Sequence, residues 1–186
     1  MKKIWIMAAL VIFLACAKTN AQQDMTKVES DSTSMMQVEP QYQDTLVKDF
    51  HLMWRVDTLG FLHVKLMAPA KGWVAIGFAP SNIMKDANLI IGYVKADTAY
   101  FSDEFGVSLT SHSPDTKLGG TDDIKEKSGM ESEDLTEIHF SIPMNSADKY
   151  DKVLDKGKIY KIILAAGASD NFTSPHVKTA SLMLTI

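Results

Sequence analysis

The sequence predicts an all-β domain built as a sandwich or barrel. Three observations predict it. Apolar and polar residues alternate along several short runs, other short runs are continuously apolar between turn residues, and no segment offers a good long helix.

The elements follow in order. Phe50, Leu52, Trp54 and Val56 alternate with Asp49, His51, Met53 and Arg55, the period of a half-buried strand. Asp57 to Gly60 makes a turn, and Leu62, Val64 and Leu66 then point inward with His63 and Lys65 outward. Trp73 to Phe78 reads as a continuous apolar strand, and so does Leu89 to Val94, broken only by Gly92. Thr98 to Phe105 is its expected hairpin partner across Ala96-Asp97. Ser108 to about Thr121 is the longest irregular stretch, and a loop of that length in a compact domain is often functional. Thr136, Ile138, Phe140 and Ile142 alternate with Glu137, His139 and Ser141. Ile159 to Ala166 is another buried strand, and Ala180, Leu182, Leu184 and Ile186 mark the last one.

The first 21 residues read as an export signal. Lys2 and Lys3 precede an apolar run from Ile4 to Leu14, too short to span a bilayer and right for a signal-peptide core. Two processing readings compete. Thr19-Asn20-Ala21 offers a signal-peptidase site before Gln22, whereas Phe13-Leu14-Ala15-Cys16 resembles a bacterial lipobox with Cys16 as the lipidated first residue and membrane tether. Either way the protein is expected outside the cytoplasm, periplasmic or attached to the cell envelope, otherwise secreted. Residues 22–45 are polar and aperiodic and read as a disordered linker, leaving 46–186 as the folded domain.

Cys16 is the only cysteine, so the mature domain has no intramolecular disulfide and no thiolate chemistry. Loss of residues 1–21 removes three lysines and no acid, which takes the formal net charge from −4 to −7. That acidic balance argues against nucleic acid and against wide contact with anionic lipid.

Several strings carry a resemblance. Gly72 to Phe78 reads GWVAIGF, followed by APSNIM and by KDANLIIGYV to Val94. DTAYFSDEFG runs from Asp97 to Gly106, PDTKLGGTDDI ends at Ile124, and AAGASDNFTSPH ends at His176. This ordered series resembles the DOMON domain family from about Phe50 to the C-terminus. The resemblance implies an immunoglobulin-like antiparallel β-sandwich with a ligand pocket. It also implies one of two functions, haem b carriage or the binding of a sugar or other small molecule.

In the haem branch one axial ligand is a Met shortly before the strand after the GW strand, and the other is a His in the loop before the final strand. Met84 and His176 occupy those places here. Such a pair fills both axial positions of the iron, raises its potential through the thioether and passes single electrons. Trp73, Phe78, Ile83 and Phe172 lie near the two ligands in sequence and are the expected apolar walls. The bland alternatives are a core-filling Met84 and an exposed loop His176. Val177-Lys178-Thr179 departs from the basic or Gly-rich run that haem-type members often carry after the His.

The remaining candidates are weaker. His51, His63 and His139 sit on polar strand faces and are expected to be exposed, while His112 lies in the long loop within reach of a ligand. Asp122-Asp123, Asp148, Asp151 and Asp155 are carboxylates of the kind that bind hard cations, though solvated turns are the default. Asp103 and Glu104 are strand neighbours on opposite faces, which excludes them as a pair flanking one bond. No catalytic constellation is found. The expected function is therefore an exported haem b protein that carries one electron to a redox partner protein. The alternatives are a non-haem module for a sugar or other small ligand and an interaction domain with no small ligand. Mass spectrometry of the native protein is expected to show an N-terminus at Gln22 or a lipidated Cys16, and an intact Met1 on a cytoplasmic protein would refute export.

Overall fold

The structure, a computed structural model, describes residues 41–186. The export segment, Cys16 and the linker up to residue 40 lie outside the described residues. Eleven strands and one short helix follow in order: β1 (Gln43–Val47), β2 (Phe50–Val56), β3 (Phe61–Ala68), β4 (Val74–Phe78), β5 (Asn88–Lys95), β6 (Thr98–Phe105), β7 (Ser113–Pro114), α1 (Asp115–Leu118), β8 (Lys125–Glu131), β9 (Thr136–Pro143), β10 (Ile159–Gly167) and β11 (His176–Thr185). They form a five-stranded sheet in the order β1-β2-β3-β9-β8 and a six-stranded sheet in the order β11-β10-β4-β5-β6-β7. Every pairing is antiparallel, as an all-β sandwich requires. Among the described residues no helix is long and apolar enough to cross a membrane.

Alternation builds the interior. Phe50, Leu52 and Trp54 of β2, Leu62, Val64 and Leu66 of β3, and Ile138, Phe140 and Ile142 of β9 form one inner face. Val74, Ile76 and Phe78 of β4, Ile90 of β5, and Ile162, Leu164 and Ala166 of β10 form the other. Trp54 links the two sheets, because its Nε1 donates to the Thr185 carbonyl of β11 at 3.1 Å.

The structure departs from the sequence reading in four places. β1 begins at Gln43, inside the span expected to be linker. β8 was hidden because KEKSGME has no apolar alternation. It is an exposed edge strand with a register irregularity between Lys125 and Ser128, and charge and irregularity both discourage further pairing. The long loop after β6 contains β7 and α1. His63 is buried although it lies on the polar side of β3, because Asp57 Oδ2 at 2.8 Å and Glu126 Oε2 at 2.9 Å clasp its two ring nitrogens.

Asp57 also organises the β2–β3 turn, its Oδ1 accepting the backbone N–H groups of Leu59 at 2.8 Å and Phe61 at 2.9 Å. Trp54→Phe keeps an aromatic ring in the core and removes the hydrogen bond to the Thr185 carbonyl. Urea unfolding is expected to show a loss of about 1 kcal/mol, the usual net worth of one such hydrogen bond.

Candidate functional site

β4 is buried along its whole length, so the six-stranded sheet has a second apolar surface on its outer side. Cross-strand pairing puts Trp73 and Ala75, Leu89, Ile91 and Tyr93, and Ile163 and Ala165 on that outer side. At its centre Gly77 has no side chain, and Leu89 and Ile163 close over it. Trp73, Ala75 and Ile91 form a small core of their own, with Tyr93, Ala165 and Phe172 packed on it.

The cover comes from the connection between β10 and β11, Ala168–Pro175. The dipeptide Gly72-Trp73 docks it. A Cβ at Gly72, whose φ is +144°, would lie 2.3 Å from the Ser169 backbone nitrogen, so no other residue permits this approach. The Trp73 indole lies against Gly167, where a Cβ would be 2.2 Å from its Nε1. That Nε1 donates to Ser174 Oγ at 2.9 Å, and Ser169 Oγ donates to the same oxygen at 2.8 Å. The loop so held carries Phe172 onto Tyr93, with ring centroids 4.8 Å apart, and Tyr100 stacks on Tyr93 at 5.0 Å.

Where the cover ends, a cleft of about 360 Å³ opens. Tyr93, Ser102 and Glu104 form its floor, His112, Pro114 and Lys117 one wall, and Asp170 to Thr173 the other. Glu104 is buried at the floor with both oxygens engaged: Oε1 accepts from Ser102 Oγ at 2.7 Å, and Oε2 pairs with His112 Nδ1. The cleft thus combines an aromatic face with a fixed acid–imidazole pair, an amide, hydroxyls and a lysine. A molecule in that space would meet both an aromatic surface and hydrogen-bonding groups.

The structure scatters the residues expected around a haem. His176 is the first residue of β11, paired with Gly167 beyond the Trp73 end of β4, and is exposed. Met84 lies in the turn beyond Phe78 at the other end, its carbonyl accepting the Ala87 N–H at 3.0 Å. Gly167 and Ile162, which pair with His176 and Phe78, stand five positions apart on β10, about 17 Å at ~3.3 Å per residue, and β10 lies between β11 and β4. The eight-residue β10–β11 connection returns its chain to Gly167 and does not carry His176 across the face. Phe78 faces the core between the sheets, Trp73 the outer side, and Ile83 is exposed. Only Phe172 of the six lines the cleft. Strand register thus sets His176 and Met84 toward opposite ends of β4.

Residues that sequence reasoning set aside compose the cleft instead. His112 does approach a ligand-sized space, and Glu104 is its partner. The signal available was the long loop after β6, which brings His112, Pro114 and Lys117 over the outer face. Asp122, Asp148 and Asp155 are mainly turn and ion-pair groups: Asp122 accepts from Ile124 N and Lys127, and Asp155 pairs with Lys158. The backbone N–H of Tyr150, with that of Thr121, holds Asp148 below the usual carboxylate range. Gly72→Ala is expected to expel the Ala168–Pro175 connection. Amide hydrogen exchange should accelerate there and in the residues around Tyr93, with β2, β3 and β9 unchanged.

Comparison with known proteins agrees with the fold. The chain is similar to the cytochrome domain of Myriococcum thermophilum cellobiose dehydrogenase, with 12% identity, a TM-score of 0.54 and 74% of each chain covered. It is similar too to the cytochrome b domain of pyranose dehydrogenase from Coprinopsis cinerea, with 13% identity, a TM-score of 0.54, and 73% of this chain and 76% of that one covered. No curated protein matches the chain. The DOMON domain family model matches residues 43–167, which reach from the first residue of β1 to the last of β10, and the chain belongs to the DOMON domain family.

Proposed function

We propose that the chain is an exported module that binds a small polar ligand in the cleft over β5 and β6, a sugar foremost. One observation carries the reading: the Tyr93–Phe172 aromatic pair stands beside the Glu104–His112 pair in the same cleft. A sugar ring has an apolar C–H face and a rim of hydroxyls. The aromatic surface suits the face, and Asp170, Asn171, Thr173 and Lys117 suit the rim. Export rests on Lys2-Lys3 and the apolar run to Leu14.

A second reading has its own support. Both similar solved structures are cytochrome domains, and Met84 and His176 are the residue types that would ligate haem b in a one-electron carrier serving a redox partner. It stands second because strand pairing holds those two residues apart.

Two measurements on the same preparation separate the readings. Protein purified from a haem-sufficient host is expected to show no Soret band. Titration with mono- and oligosaccharides, followed by ligand-observed NMR and calorimetry, is expected to find saturable binding. Phe172→Ala and Tyr93→Ala should weaken it by about tenfold, roughly 1.4 kcal/mol, while Met84→Ala and His176→Ala leave it unchanged. A low-spin, six-coordinate haem spectrum lost in His176→Ala would overturn the order of the two readings.

A further inference from the structure

The two faces of β6 differ. Ser102 and Glu104 look outward into the cleft, whereas Asp103 shares the inner side with Ile90. Asp103 is 5% exposed; its Oδ2 accepts the Asp123 N–H at 2.9 Å, and its Oδ1 has no partner. Asp115, the first residue of α1, is 0% exposed and neither of its oxygens has a partner. Asn88, at the start of β5, is 3% exposed; it donates Nδ2 to Asp151 Oδ1 at 2.7 Å, and its own Oδ1 has no partner. Among the described residues, these four oxygens are all of the fully buried side-chain nitrogen and oxygen atoms that lack a hydrogen-bond partner.

They also belong to one place. One oxygen from each of Asp103, Asp115 and Asp151 lies within 4.8 Å of the others, and Asn88 is bonded to Asp151. All four orphans are acceptors. Buried acceptors without donors are costly, and three carboxylates together call for positive charge. Among the described residues no lysine, arginine or histidine forms an ion pair with Asp103, Asp115 or Asp151.

We propose that Asp103, Asp115, Asp151 and Asn88 bind one hard divalent cation, and that calcium is the ion the site fits. The donors are all oxygen, the choice of hard cations. They lie within 4.8 Å of one another, no further apart than two calcium–oxygen bonds of ~2.3–2.6 Å allow across one ion. Both Asp115 oxygens are available for bidentate binding, which suits the high coordination number of calcium. Magnesium keeps several of its waters and fits a buried set of side chains less well. Burial pushes Asp103 up to about 8 and Asp115 up to about 7, with the neighbouring carboxylates adding to both, and a bound cation opposes that rise.

The four ligands come from β5, β6, α1 and the loop after β9. A cation there ties the β6–β8 crossover to the edge of the six-stranded sheet, and that crossover carries His112, Pro114 and Lys117 to the cleft.

The test uses the purified full chain, stripped with chelator and titrated with calcium, magnesium or terbium ions alone. Calcium at up to millimolar concentration is expected to raise Tm, and terbium to bind one ion per chain with luminescence sensitised by Tyr150, which adjoins Asp151. Asp115→Asn should weaken calcium at least about tenfold and remove most of the Tm rise. The exposed-site control Glu133→Gln should change neither. The metal-free Asp115→Asn protein should be at least as heat-stable as the metal-free wild type, because the substitution relieves repulsion; should it fail to fold, Asp103→Asn takes its place. No calcium response in the wild type, a wild-type affinity in Asp115→Asn, or an equal response to magnesium would overturn the proposal.

Discussion

The constraint on which the molecule depends is that β4 is buried on both faces. Its inner residues, Val74, Ile76 and Phe78, close the sandwich against β2, β3 and β9. Its outer residues leave an apolar surface that a two-layer protein must cover or expose, and large exposed apolar patches are rare on soluble domains. Gly77 reduces the problem by letting Leu89 and Ile163 meet. Gly72 and Trp73 solve most of the rest, fixing a short connection across the strand ends through backbone contact and one indole hydrogen bond. The cleft is what remains beyond the edge of that cover, so the aromatic floor of the candidate site and the packing of the GW dipeptide have one cause.

Much of this was legible in the residues, and the failures have physical reasons. Period-two alternation located β2, β3 and β9 because each has one wet and one dry face. β8 escaped because an edge strand exposed along nearly all its length shows no pattern. Nearness in sequence suggests Trp73 and Phe78 as walls of one pocket, yet five positions along a strand reverse the face, and the structure puts them on opposite sides. The same parity marked Asp103: flanked by Phe101 and Phe105 at two-residue spacing, it belonged on the core side. His63 lies on the polar side but is buried by Asp57 and Glu126, and nothing in the local pattern announces that distant Glu126 completes the clasp begun by Asp57 of the adjoining turn.

Met84 and His176 illustrate a different limit. Both have the residue type and the place in chain order that the haem branch of the family implies. Whether two such residues meet depends on strand register and on the length of the connecting loop, and chain order specifies neither. Here His176 is drawn into β11 opposite Gly167, and the connection that would have carried it elsewhere is spent on covering Trp73. A shared fold with cytochrome domains at 12–13% identity leaves that local difference open, since function resides in the site and not in the sandwich.

The two faces of β6 finally connect the parts. Glu104 holds His112 on the outer side, and Asp115, three residues further along, is buried beside Asp103 on the inner side. The segment between them therefore has two anchors of unequal quality. The outer one is a completed pair with Ser102 added. The inner one includes four acceptors without donors, and its stability depends on what neutralises it. A cation at Asp115 would complete the inner anchor and fix Pro114 and Lys117 against the cleft. A shared proton would neutralise charge without joining the separate elements. With a cation there, the position of the cleft wall, and with it the binding of any ligand between Tyr93 and Lys117, would be set from the far side of the strand that forms its floor.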